Sequence, residues 1–94
     1  MAIPTALHQR VLREDAIARS DLRNAAVLEE VYFTDHDTYT DESGLATESL
    51  RGTAVPVVVI SHSTEGYCLA ARSDSGKTWY YDSVSGGLSA VPCS

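Results

Sequence analysis

Residues 1–33, MAIPTALHQRVLREDAIARSDLRNAAVLEEVYF, place apolar side chains at helical spacing over about nine turns. Ile3, Leu7 and Val11 fall on one face, and Ala18, Leu22 and Ala25 continue it close to the same angle. From Ile17 onward a neighbouring face carries Ala25, Leu28, Val31 and Tyr32, while Glu14, Asp21 and Glu29 interrupt the first stripe about every two turns. Pro4 sits in the first turn, where its missing N–H costs nothing, and Asp15 with Arg19 makes an i to i+4 pair expected on the solvent side. The spacing predicts a single helix over 1–33, about 50 Å long, which is wider than a domain of this size. Part of it should therefore protrude. The first stripe, Ile3, Leu7, Val11, Ala18 and Leu22, is assigned to packing against copies of the same chain. The second, Ile17, Ala25, Leu28 and Tyr32, is assigned to packing on the domain's own sheet.

After Phe33 the stretch 34–53 mixes Asp, Thr, Ser and Gly without sustained periodicity and reads as a long surface loop, with a short helical turn expected at Leu45 to Leu50. Loops of this length usually carry recognition. From Ala54 the composition shifts to β-branched and aromatic residues, and Val55 to Ile60, Tyr67 to Arg72 and Thr78 to Ser83 each have strand length. Ser63 to Gly66 and Ser73 to Lys77 are short Gly-containing connections, which suit an antiparallel meander rather than a parallel sheet needing crossover helices. A last extended piece, Leu88 to Cys93, follows Gly86 and Gly87. The expected architecture is α+β in one domain, 1–94: a long N-terminal helix (1–33), a loop (34–53) and a three- to four-stranded antiparallel sheet with the C-terminal region (54–94).

A net charge of −6 and a pI near 4.8 argue against direct binding of nucleic acid or an anionic membrane, which both draw on clustered Lys and Arg. Arg10, Arg13, Arg19 and Arg23 are interleaved with Glu14, Asp15 and Asp21, so no basic stripe survives. Cys68 and Cys93, with no CxxC and no His pair at zinc spacing, point to one disulfide and an oxidising compartment. Such a bridge would staple the C-terminal tail to the middle strand and, by closing about 25 residues, contribute roughly 3 to 4 kcal/mol in the chain-entropy model. No apolar run approaches the roughly 18 to 20 residues needed to span a bilayer.

The ordered set of motifs resembles the globular part of type IV pilins and pseudopilins over nearly the whole chain. Ala2-Ile3-Pro4-Thr5-Ala6-Leu7-His8-Gln9-Arg10 looks like the end of the pilin N-terminal hydrophobic segment. Ser20 to Ala26 and Glu29-Glu30-Val31-Tyr32-Phe33 look like the helical half that follows, and Asp37-Thr38-Tyr39-Thr40 like the start of the loop after it. Tyr67-Cys68, then Ser75-Gly76-Lys77-Thr78-Trp79-Tyr80-Tyr81-Asp82 and the terminal Cys93, are similar to the pilin strands and cysteine-bounded C-terminal region. The resemblance implies a structural subunit, a major pilin, that polymerises through its helix at the cell surface after membrane anchoring. Its implied partners are copies of itself, other pilins and membrane assembly machinery, with no cofactor. A minor pilin or a pseudopilin of a secretion or DNA-uptake machine would share the same motifs. The family's processing signal and most of its membrane-spanning segment have no counterpart before Ala2, so this chain is expected to stay soluble and monomeric, with contact to the membrane only through the missing segment.

Other readings compete at particular residues. Asp35, Asp37 and Asp41 offer hard oxygen ligands for calcium, but Tyr39 takes the place of a third carboxylate, Thr40 that of the required Gly, and Ala46 that of the bidentate Glu. A metal- or ligand-binding extracellular module using this acidic loop is the alternative of a different class. Ser61, His62 and Ser63 lack a nucleophile elbow, His8, His36 and His62 include no HExxH pair, and neither cysteine lies in the CxxC of a redox enzyme, so catalysis is not expected. Trp79 and Tyr81 should share one face of their strand with Tyr80 on the other, at least one ring being core against Leu28 or Val57, and Ser85-Gly86-Gly87 reads as a turn.

Overall fold

The computed structural model describes residues 3–47 and 57–93, with helix side chains from Gln9 onward. Helix α1, Ile3–His36, carries 34 residues and sets the long axis of a body measuring 54 × 28 × 15 Å. It runs three residues past the expected Phe33 because its last turn is locally satisfied. Thr34 Oγ1 donates to Glu30 O at 2.9 Å, the His36 ring stacks on Tyr32 at 3.9 Å, and Asp37, at φ 59°, closes the end by donating its N–H to Phe33 O. Helix α2, Glu42–Thr47, begins earlier than the predicted turn because the Asp41 carboxylate caps it, accepting the Gly44 N–H at 3.2 Å. The predicted residues 48–50 of that turn, and Val55 at the start of the first predicted strand, lie outside the described residues.

Four strands follow as an antiparallel meander in the order β1-β2-β3-β4: β1 Val57–His62, β2 Tyr67–Arg72, β3 Thr78–Asp82 and β4 Gly87–Ser89. Val59 pairs with Leu69 and Ser61 with Cys68, so Ile60 is a bulge that turns the end of β1. Strand β3 ends at Asp82 because that carboxylate accepts the N–H of Val84 at 2.9 Å, and Gly86 and Gly87 take the positive φ values of 116° and 109° that the following turn demands. The last expected extended segment pairs only through Ser89. There the Ser89 hydroxyl accepts the Val91 N–H and bends the chain toward Cys93, which is bridged to Cys68 across a Cα separation of 6.2 Å.

The core lies between α1 and the sheet. Ala18, Leu22, Ala25 and Ala26 meet Val57, Leu69, Ala71 and Tyr67, with Leu28, Tyr39, Val59, Trp79, Tyr81 and Leu88 packed around them. Complete burial of Leu22, Leu45 and Leu69 contributes about 1.5 to 3 kcal/mol each. Trp79 and Tyr81 turn toward the helix, while Val58, Ile60 and Tyr80 line the open face of the sheet. Helix α2 seals the edge strand, its Glu42 Oε1 accepting the Val59 N–H at 2.7 Å. Among the described residues no helix is long and apolar enough to cross a membrane.

Candidate functional site

At 100° per residue, Val11, Ala18, Leu22, Ala25 and Glu29 fall within about 60° of one another on α1. One stripe thus meets two environments. Beyond Asp15 toward the C-terminus it is covered by β2 and β3, and Ala18 and Leu22 are 0% exposed. Before Asp15 nothing among the described residues covers it: Gln9 to Arg13 are all exposed, and Val11 stands at 40%. Ala18 and Leu22 are therefore corrected from assembly surface to core. Periodicity reports an angle, whereas the end of the sheet decides which residues at that angle are buried.

The second face is corrected in turn. Ile17 is 38% exposed, lying about 100° or more from Ala18 and Leu22 around the helix, so it does not pack on the sheet. Ala25 is fully buried in the core and Leu28 packs against it, while the Tyr32 ring goes to His36 on its own helix. The backbones of Ile3 and Leu7 are helical, and their side chains fall outside the described residues. Asp15 is corrected from the solvent side: its carboxylate accepts the Ser75 hydroxyl at 2.7 Å and is buried. That hydrogen bond, against the opposing cost of burial and with support from Ser73, Trp79 and Lys77, holds the Asp15 carboxyl below its ordinary value. Arg19 in turn lies 5.1 Å over Trp79, which Lys77 approaches at 4.6 Å.

The far end of the domain is closed by the disulfide, beside which Ser61, His62, Glu65, Asp82 and Ser85 line an open groove of about 310 Å³. No family model matches the chain. In sequence it is similar to PilA4, the major component of the type IV wide pilus of Thermus thermophilus, at 28% identity over 81 residues, covering 83% of this chain and 62% of that protein. Its long helix lies on a four-stranded antiparallel sheet closed by a C-terminal disulfide, which is the type IV pilin architecture. The domain is pilin-like. The chain spans about 62% of the length of the relative it matches.

One junction of this pilin-like domain escaped the sequence reading. Glu29 is 0% exposed, its Oε1 accepts the Thr40 N–H at 2.8 Å, and Oε2 has no hydrogen-bond partner among the described residues. Burial raises its carboxyl to about 7, against the opposing Thr40 hydrogen bond and the His62 charge. The available signal was its place as a carboxylate on the core stripe. Beside it Tyr39 stacks with Phe33 at 4.6 Å and meets Tyr67 at 4.7 Å, and burial raises the Tyr39 hydroxyl with help from Glu30. Of the acidic residues weighed for calcium, Asp37 ends α1 and Asp41 caps α2. Among the described residues no three His, Cys, Asp or Glu side chains are grouped to hold a metal.

Proposed function

We propose that this pilin-like domain is the structural, non-enzymatic subunit of a type IV pilus-like surface filament, acting as the major pilin and presented at the cell surface. The observation that carries this reading is the helix stripe that is core against the sheet and then runs on uncovered through Val11. An apolar stripe without its own sheet is suited to burial against another helix. The similarity to a wide-pilus major component supports the same assignment. Ile3, Leu7 and Val11 form the assembly stripe, and copies of the chain, other pilins and a membrane assembly machine are the partners. The loop after α1 and the disulfide-bounded C-terminal region form the outer surface.

Immunogold electron microscopy of the source cells with antibodies to this domain tests the assignment. Continuous label along surface filaments is expected. Label confined to filament tips or the envelope would point to a minor pilin or pseudopilin, and label only in the medium would overturn the filament reading.

A further inference from the structure

Four contacts seat the segment Asp37–Asp41 between α1 and the sheet: Asp37 N–H to Phe33 O at 2.8 Å, Tyr39 N–H to Ser63 O at 3.0 Å, the Tyr39 ring between Phe33 and Tyr67, and Thr40 N–H to Glu29 Oε1 at 2.8 Å. Three of these do not depend on a charge. The fourth ends on a fully buried carboxyl whose second oxygen meets no donor among the described residues.

We propose that Glu29 is a proton-operated latch on the segment Asp37–Asp41, which is seated while the carboxyl is neutral and loosened when the carboxylate forms. The surroundings oppose the charge from nearly every side. On α1 the neighbouring Glu30 is a carboxylate, whose Oε1 accepts the Tyr39 hydroxyl at 3.4 Å, and the segment itself contributes Asp41. Tyr39 of the segment and Tyr67 of β2 present hydroxyls that burial keeps neutral. Glu42 of α2 is engaged with the β1 backbone, and His62 at the end of β1 is the imidazole that counters the negative charge. An ionised Glu29 therefore has one backbone N–H and the His62 imidazole for its charge, and burial with two nearby carboxylates against it. Water is the remaining source of solvation, since buried charge without partners is costly. Ala25 and Ala26 pack into the core one turn before Glu29, so the cover that can lift is the segment bonded to it. Lifting it uncovers the Phe33 face on which Tyr39 stacks and the Tyr67 ring that Tyr39 meets at a tilt. The device belongs to the isolated domain and does not rest on the filament reading.

Amide hydrogen exchange by NMR on the whole domain from pH 5.5 to 8.5, corrected for intrinsic exchange, tests it. Protection at Thr40 and Tyr39 is expected to fall tenfold or more as the pH rises to about 7 and to level off above it. The E29Q variant should hold the high protection throughout, and H62N should keep a transition. Protection in the parent that does not change with pH would overturn the latch, as would an equal loss in E29Q or a transition abolished by H62N. The carboxyl carbon shift of Glu29 in the parent gives a second reading independent of how E29Q folds. Titration near 7 supports the latch, and titration near the ordinary 4.5 overturns it.

Discussion

The two ends of α1 carry the same pattern and lead different lives. Val11 and Leu22 sit at nearly the same angle on one helix, yet the first is exposed and the second is sealed against β2 and β3. A side chain's periodicity says which way it points, and the length of the sheet says whether anything is there to meet it. In a body 54 Å long and 15 Å thick, a helix of 34 residues outruns its own support. The overhang leaves Val11 exposed, and under the proposed filament function a second subunit would cover it.

Truncation in the covered half breaks this contrast most severely. Leu22→Ala is expected to cost about 4 kcal/mol, since Leu22 is completely buried and the cavity lies between helix and sheet. Chemical denaturation checks it, and a loss under about 1 kcal/mol would mean the stripe is not core at this point. Replacing both Cys68 and Cys93 by Ser should cost about 3.5 kcal/mol, from the 25-residue separation they close. It should loosen the C-terminal tail without disturbing the helix, which hydrogen exchange can separate by region.

Glu29 sharpens the comparison because it lies on the covered stripe yet carries a carboxyl. Its folded value, about 7, is raised above the ordinary 4.5, so in that window the folded chain holds a proton the unfolded chain has released. Stability should therefore be greatest in acid, fall as the pH rises from about 4.5 to 7, and level off above. Glu29→Gln should be more stable than the parent by about 2 to 3 kcal/mol at pH 8 and converge with it near pH 4. Equal slopes for both proteins would contradict the burial of this charge. The smallest effect is Ser75→Ala, expected to cost about 1 kcal/mol by removing the donor to Asp15. Because the Asp15 carboxyl is held low, that contribution is present at neutral pH and fades as acid protonates it.

The sheet was largely legible in the sequence. Alternation in Thr78 to Ser83 separated Trp79 and Tyr81 from Tyr80, the structure shows that the first two face the core, and the positive φ of Gly76, Gly86 and Gly87 falls in the expected turns. Local chemistry that competes with periodicity was harder to read. Asp41 moved α2 forward by capping it, Ile60 bulged out of register, and Ser89 bent the chain away from the sheet. The axial division of α1 was illegible because the end of the sheet depends on tertiary packing, and the same packing turned Asp15 inward and left Ile17 outside. Glu29 was visible as a charge on an apolar stripe, but its burial required Thr40 to fold back over it.

Under the proposed function the uncovered stripe on α1 serves assembly, while the covered stripe is core. Val11→Asp in the source cells, with filaments counted by electron microscopy and the purified domain's melting recorded, tests it most directly. Loss of surface filaments is expected, with stability unchanged to within about 0.5 kcal/mol, as for an exposed position. Normal filament numbers with Asp at this position would contradict it.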